Sequence, residues 1–492
     1  MVEIELKFQV PAERRAAVRQ AVATSGARTT HLRARYFDTP DRRLARAGFA
    51  LRLRQEDHVW VQTLKGRGDG RLARLEHEVS LGPQPDVPTL DIQLHAQIPV
   101  GQALLDALGK HVGALQAVFE VDVLRTHRIV RSLGSRIELA LDVGEIRAGA
   151  GRLEVHELEF ELKSGTLAGL LDLASRWVGR HGLWLDVRTK SERGDRLARG
   201  QICGPVVQAR TPSLTADMGL DAALRAITGV CMEQILPNVA ELASGDGSAE
   251  HLHQARVGMR RLRSALRLFG DPEGPAWEPQ LAALAKRLGA ARDRDLMDTS
   301  LRPALLAAGA PLGELPVAEQ ASDPALALRR TSCTQLLLAL LQFAHGAEAN
   351  QPADEGAALQ TSIGVVARAG IKGLHRQLRK DAAAFDDMDD AKRHRVRKRL
   401  KRLRYGVEFV SSLYRGKAVK RYLACLRPAQ EALGLYNDLC VAEAAFRQQA
   451  QTDPRAWFAV GWLSAQREPL REAAARALRE AMATKPPTSS RR

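Results

Sequence analysis

The chain opens on a strict alternation of charged and apolar positions, Glu3-Ile4-Glu5-Leu6-Lys7-Phe8, the period of a strand with one face in a core. Glu3, Glu5 and Lys7 then share the opposite face over roughly 13 Å at ~3.3 Å per residue. The alternation returns at 49–54 with Arg52 and Arg54 together, at 60–65 with Thr63 and Lys65, and at 74–79 with Arg74, Glu76 and Glu78. Further strands are predicted at 119–130, at 136–143 with Glu138 and Asp142 on one face, and at 156–163 with Glu157, Glu159, Glu161 and Lys163 aligned. Residues 35–40 read as a strand running into a turn, and 189–194 as the end of a last strand. Helices are predicted at 11–26, closed by its glycine, around 103–108, and at 167–181. From residue 214 the apolar spacing becomes helical and stays so to 484, with breaks at 270–279, 309–316 and 345–356. The pattern therefore predicts a strand-rich domain over 1–200, a linker over 201–212, an all-helical domain over 213–484 and a disordered tail over 485–492.

The alternating strands set two opposing groups of charge on one surface. The acids are Glu3, Glu5, Glu76, Glu78, Asp142, Glu157, Glu159 and Glu161; the bases are Lys7, Arg52, Arg54, Lys65, Arg74, Arg125 and Lys190. An antiparallel sheet often has one wet face, but such faces mix Thr, Ser and Gln with scattered charge. Arg and Glu recurring strand after strand fit a closed or strongly curved sheet with its charges turned inward. That surface suits a phosphorylated substrate with a divalent metal: carboxylates are hard ligands for Mg2+ or Mn2+, and Arg and Lys neutralise phosphate. Inward faces offer little apolar surface beyond Tyr36 and Trp60, which favours an inorganic substrate. No Ser, Cys or His arrangement in this half demands a covalent intermediate.

The helical half carries an internal repeat. His253, Arg256, Arg260, Arg261, Leu262 and Arg263 recur at identical spacing as His394, Arg397, Lys401, Arg402, Leu403 and Arg404. Positions 0, +3, +7 and +10 fall within roughly an 80° arc of a helix at ~100° per residue. Each copy is followed by a second match, Leu288-Gly289 to Asp293 and Leu433-Gly434 to Asp438. A face needed only for solubility mixes signs, whereas these stripes are almost wholly positive and self-repulsive. Two of them at matched spacing point to a duplicated unit that sets cations around one groove. No second ligand recurs at i+4 from either histidine, so phosphate hydrogen bonding outranks metal binding there.

Charge enlarges this picture. Lys and Arg number 73 against 57 Asp and Glu, a formal net charge of +16, so a polyanionic partner is expected. Aromatics are 4% of the chain, which argues against a base-stacking surface and so disfavours nucleic acid. Five cysteines without a CxxC pair read as thiols in a reducing compartment. With no signal pattern at the start and no long apolar run, no membrane association and a cytoplasmic location are expected.

Glu-Ile-Glu-Leu-Lys at 3–7, Tyr-Phe-Asp-Thr-Pro at 36–40, Ala-Leu-Arg-Leu-Arg at 50–54, the segment 157–165 and Lys-Ser-Glu-Arg-Gly at 190–194 resemble, in order, the segments of the CYTH superfamily, the triphosphate tunnel metalloenzymes. The helical repeat resembles the CHAD domain. The first resemblance implies an α+β antiparallel β-tunnel, the second an all-α helical bundle with internal duplication. Carried onto this chain, Glu3, Glu5, Asp142, Glu157, Glu159 and Glu161 are the expected metal ligands. Lys7, Arg52, Arg54, Lys65, Arg74, Arg125 and Lys190 are the expected phosphate contacts, with Lys65 and Glu76 as the catalytic pair. Glu3 and Glu5 are expected to meet Glu159 and Glu161 across the tunnel. The CHAD resemblance implies inorganic polyphosphate on His253, Arg256, Arg260, Arg263, His394, Arg397, Lys401 and Arg404. The implied activity is hydrolysis of inorganic triphosphate with Mg2+ or Mn2+. The alternatives are a nucleoside or thiamine triphosphatase or adenylate cyclase on the same tunnel, and a non-enzymatic polyphosphate-binding or granule-targeting protein.

Overall fold

A computed structural model of the chain describes residues 2–67, 73–270, 275–297, 301–311, 323–346 and 362–487, apart from the side chains of 2, 3, 67, 73, 74 and 290–296. Residues between the predicted strands 60–65 and 74–79, parts of all three predicted helical breaks, and the predicted tail from 488 onward lie outside the described residues.

The first two hundred residues run β1 (Val2–Gln9), α1 (Arg15–Val22), β2 (Arg28–Asp38), α2 (Arg43–Ala47), β3 (Ala50–Glu56), β4 (Val59–Arg67), β5 (Ala73–Pro83), α3 (Pro99–Leu108), β6 (Gln116–Ser132), β7 (Ser135–Ala148), β8 (Gly151–Ser164), α4 (Leu167–His181), β9 (Trp184–Leu185) and α5 (Lys190–Ala198). The sheet order is β5-β4-β3-β2-β6-β7-β8-β1, and a β1–β5 pairing, Val2 opposite Leu75 and Glu3 opposite Arg74, closes these eight antiparallel strands into a barrel. The two-residue β9 hangs on β1.

The barrel is inside out. Leu6 and Phe8 of β1 are buried on its outer side, where Phe8 meets Phe160 edge-on at 5.4 Å and Phe160 meets Trp177 of α4 at 6.1 Å. Helices cover this apolar phase, so the charged phase of the same strands is left to face the lumen. Strand β2 departs from the rule. Its Arg33 and Arg35 point outward to Asp122 and Glu120, while Leu32, Ala34 and Tyr36 face inward beside Val121 and Val123 of β6. The lumen therefore has an apolar wall that the charge pattern did not reveal. Trp60 is buried, donates Nε1–H to the Gln84 carbonyl and is not part of the lining.

Two predicted elements differ. The helix expected to reach Gly26 ends at Val22, and Gly26, at φ +84°, instead turns the chain into β2. The expected last strand is helix α5: Thr189 Oγ1 accepts from the Glu192 amide and the Glu192 carboxylate accepts from the Thr189 amide, a capping box. That exchange satisfies two N-terminal amide groups at once and overrides the apparent extension of a strand.

From residue 220 the chain is helical: α6 (Leu220–Ser244), α7 (Ala249–Phe269), α8 (Glu278–Leu296), α9 (Arg302–Ala307), α10 (Pro324–Leu328), α11 (Thr331–His345), α12 (Ile363–Ala383), α13 (Asp390–Phe409), α14 (Gly416–Gln449) and α15 (Ala456–Ala483). Two compact units result, one of Met1–Val207, Leu236–His251 and Ala325–Ala349, the other of Gln208–Ile235, Leu252–Pro324 and Asn350–Arg492. In the first unit α11 packs on α4, and the Arg329 guanidinium lies 5.6 Å from the centre of the Trp184 ring. In the second, Phe446 of α14 packs with Ala459 and Leu463 of α15 and Leu305 of α9. Arg261, a basic position of the repeat, is 1% exposed, lies 4.6 Å from the Phe409 ring centre and donates to the Arg210 carbonyl. It belongs to the core of this unit. No described helix is long and apolar enough to cross a membrane, and none of the five cysteines forms a disulfide.

Candidate active site

The barrel encloses a cavity of about 890 Å³. Period-two alternation delivers Glu5 and Lys7 from β1, Arg52 and Arg54 from β3, Lys65 from β4, and Glu76 and Glu78 from β5. Arg125 comes from β6, Asp142 from β7, Glu159 and Glu161 from β8, and Lys190 from the first turn of α5. Glu138 and Lys163 join the lining, although they stand outside the candidate set. The side chains of Glu3 and Arg74 lie outside the described residues. Glu157 is buried but does not reach the lining; Lys190 and Arg193 both bond to it.

On the β6–β8 side, acids and bases neutralise one another. Arg125 grips Asp142 with Nε and Nη2, each at 2.7 Å, and Nη2 also reaches Glu159 at 2.5 Å. Lys190 Nζ lies 2.6 Å from Asp142, 2.9 Å from Glu159, and against Glu157. Burial raises the Asp142 and Glu159 carboxyls, but Arg125 and Lys190 outweigh it, leaving Asp142 below and Glu159 well below the usual range. Burial works against the Lys190 ammonium, yet the three carboxylates hold it above its usual range. Oxygens of Asp142, Glu157 and Glu159 lie within 4.8 Å of one another, the span of a single ion. The expectation of metal ligands at these three residues thus meets an ammonium group already bonded to all of them.

On the β3–β5 side the cations crowd. Arg52 donates to the Tyr36 hydroxyl at 3.2 Å and lies 3.8 Å from Glu76, Arg54 donates to Glu78 at 3.1 Å, and Lys65 lies 3.0 Å from Glu76. Burial and then the like charge of Arg52 push Arg54 below the usual guanidinium range, and Arg125 adds to the effect. Burial raises the Tyr36 phenol, but the Arg52 charge and hydrogen bond bring it below its usual value.

Glu5 and Glu161 stand directly opposite in register on the neighbouring strands β1 and β8, as do Lys7 and Glu159. They are side by side, not across the tunnel, because β1 closes the barrel against β8 on one edge and β5 on the other. Lys7 bonds Glu5 at 2.6 Å and Lys163 bonds Glu161 at 2.7 Å. This adjacent pair offers oxygen donors to the lumen, the hard set that suits Mg2+ or Mn2+.

In the second unit the repeat brings the two stripes to one place. Lys401 of α13 feels the charges of Arg397, of Arg260 and Arg256 on α7, and of Asp438 on α14. Burial first, and then those arginines, hold its ammonium down to about 6. His394 Nδ1 pairs with Asn437 Oδ1 at 2.5 Å, Arg397 lies 3.7 Å from Asp438, and Arg256 donates to the Gly289 carbonyl at 3.4 Å. The second matched segments therefore meet the stripes in both copies. The +10 positions are neutralised instead: Arg263 bonds Glu278 and Arg404 bonds Glu408, at 2.7 and 2.8 Å. His253 lies three residues before Arg256 on α7 and has interactions of its own.

Residues 1–190 match the CYTH domain model and residues 226–447 the CHAD domain model, so the chain carries a CYTH domain followed by a CHAD domain. Among known proteins it is similar to the inorganic triphosphatase of Haemophilus influenzae, 34% identical over 169 residues. That match spans 34% of this chain and 46% of the relative, about half its length. Among solved structures, the CHAD domain of the plant Ricinus communis is 33% identical, covering 58% of this chain and 99% of that one with a TM-score of 0.48. A Hippeastrum adenylyl cyclase candidate, described as revealing a dominant triphosphatase activity, is 19% identical, covering 40% and 96% with a TM-score of 0.29.

Proposed function

We propose that the barrel hydrolyses inorganic triphosphate to pyrophosphate and phosphate, and that the basic stripes of α7 and α13, which meet at Lys401, bind inorganic polyphosphate. The observation that carries the first reading is the convergence of Arg52, Arg54, Lys65 and Arg125 on one cavity, with Arg54 facing the like charges of two others. Cations pressed together in a half-closed space are relieved when an oligoanion enters. The CYTH match and the relative named inorganic triphosphatase support the same reading. Arg52 and Arg54 would fork onto phosphate oxygens, and Glu76 orients both Lys65 and Arg52 toward the lumen, the part assigned to the Lys65–Glu76 pair. Glu5 and Glu161, with Glu3 on the same strand face, would hold Mg2+ or Mn2+, which when bound polarises a phosphoryl oxygen and neutralises its charge.

The apolar wall of Leu32, Ala34, Val121 and Val123 favours a second reading, a triphosphate with an organic tail. Phosphate release by the full chain from triphosphate, ATP and thiamine triphosphate, each with Mg2+ or Mn2+, separates the two. Triphosphate should be turned over at least about tenfold faster; equal or better turnover of ATP would overturn the preference.

At the basic stripes, the Lys401 ammonium is held to about 6 when folded against ~10.4 in an unfolded chain. Between those values the unfolded state binds the extra proton, so stability from this group rises with pH across that window and is lost as pH falls toward 6. A polyanion on the stripes reverses the balance. Calorimetry at pH 7.5 in buffers of different ionisation heat should detect uptake of about one proton per site on polyphosphate binding. Lys401→Met should abolish that uptake and weaken binding about tenfold, ~1.4 kcal/mol. Heat independent of the buffer would remove Lys401 from the site.

A further inference from the structure

Helix α5 presents Lys190 to the lumen, yet the contacts that hold α5 from outside come from a stretch far away in sequence. Glu241, in the last turns of α6, is 2% exposed. Its Oε1 accepts from Arg196 Nη1, in the last turn of α5, at 2.5 Å. Its Oε2 lies 3.6 Å from Arg188 Nη1, in the residue just before the Thr189 cap. One carboxylate thus spans both ends of the nine-residue helix. Arg188 in turn grips Asp186 with Nε at 3.0 Å and Nη2 at 2.9 Å, and Asp186 accepts from Gln9 at 3.1 Å. Gln9 stands opposite Glu157 in register, and Glu157 is one of the three acids around Lys190. On the other side of α5, Gly194 sits so tightly on the Phe119 ring that a Cβ would meet it at 2.2 Å.

This arrangement is poor as a stabilising device. Glu241 Oε2 accepts no hydrogen bond, and buried ion networks with an unsatisfied oxygen are weak evidence for stability. It is well suited to fixing a position. Lys190 touches three carboxylates at once, and a small displacement of α5 would leave Asp142 and Glu159 with Arg125 as their shared cation, one positive charge short in the lumen.

We propose that Glu241 is a positioning residue for triphosphate: by clamping Arg188 and Arg196 it holds α5 so that Lys190 stays among Asp142, Glu157 and Glu159. The proposal rests on the triphosphatase reading of the barrel. It also gives the segment matched by the CHAD domain model a part in the barrel's chemistry, since Glu241 falls within residues 226–447. Gly204 offers an independent handle: a Cβ there would lie 2.1 Å from Arg196 Nη2 and 2.9 Å from Glu241 Oε1, so Gly204→Ala wedges the clamp without removing a charge.

The test is a double-mutant cycle in the full chain, read as KM, kcat and calorimetric affinity for inorganic triphosphate. Glu241→Gln should raise KM and Kd about tenfold with kcat within about threefold, because acids that have lost the Lys190 charge and keep only Arg125 disfavour the anion before chemistry begins. Glu241→Asp should recover most of that loss, and Gly204→Ala should reproduce it. In a Lys190→Met background, Glu241→Gln should add nothing, since its effect runs through that ammonium. Additive losses in the cycle, or wild-type KM in folded Glu241→Gln, would overturn the clamp. If Glu241→Gln fails to fold, the cycle of Gly204→Ala with Lys190→Met decides in the same way. A wild-type chain that neither binds nor hydrolyses triphosphate would refute the barrel reading and the clamp with it, an outcome distinct from an active enzyme indifferent to residue 241.

Discussion

Replacing Glu5 and Glu161 together by glutamine is expected to lower triphosphate hydrolysis by about three orders of magnitude, while polyphosphate binding by the same full-length chain stays unchanged. The two carboxylates stand opposite one another on β1 and β8 and face the lumen. Each has a lysine on its own strand as an ionic partner, Lys7 at 2.6 Å from Glu5 and Lys163 at 2.7 Å from Glu161. Glutamine preserves volume and one acceptor oxygen but removes the charge that a hard divalent ion requires. Lewis-acid polarisation of a phosphoryl oxygen contributes several kcal/mol to such reactions, and ~4 kcal/mol corresponds to about a thousandfold in rate. The measurement is initial-rate phosphate release over a titration of Mg2+ and of Mn2+, with polyphosphate affinity as the control. Retention of more than about a tenth of the wild-type rate at saturating metal would place the metal elsewhere.

The second large effect concerns Arg125. Methionine at this position leaves Asp142, which is fully buried, without its bidentate partner and removes one cation from Glu159. Breaking a buried pair on one side costs about 3–5 kcal/mol, far more than the pair itself contributes. The pH dependence follows from the same contacts. Both carboxyls sit below their usual values when folded, so their contribution is fully present above the unfolded values of ~3.9 and ~4.3 and is lost as pH falls through the folded ones. In Arg125→Met the depressing charge is weakened and both folded values move up toward the unfolded ones, so the stability this cluster loses on acidification becomes smaller. Urea unfolding from pH 7 to pH 3 measures both effects. An unchanged unfolding midpoint at pH 7 would mean that Lys190 alone suffices to neutralise the cluster.

Much of the barrel was legible because a strand repeats every two residues. That period alone grouped Glu5 with Lys7, Arg52 with Arg54, and Glu159 with Glu161, and all six reach the lumen. Charge also told which way the faces turn: a strand with a buried apolar side and no water-filled exterior face must put its ions inside. The paired basic stripes were equally legible, since identical spacing on two helices needs no tertiary knowledge to be recognised.

What the chain alone determined, then, is which residues share a face; what only the tertiary structure decided is which faces meet. Alternation carries no record of strand neighbours, so Glu5 and Glu161 proved adjacent instead of opposed across the tunnel. It carries no measure of distance between charges, so Lys190 emerged as the partner of Asp142, Glu157 and Glu159 only once α5 was folded against β6–β8. The Thr189–Glu192 capping box that makes α5 a helix was readable in principle from a threonine followed three residues later by a glutamate; the strand that does form, β9, stops at Leu185 before it. The apolar wall of β2 and β6 and the Glu241 clamp had no local signal at all. Both arise from contacts between residues far apart in sequence, which spacing along one element cannot encode.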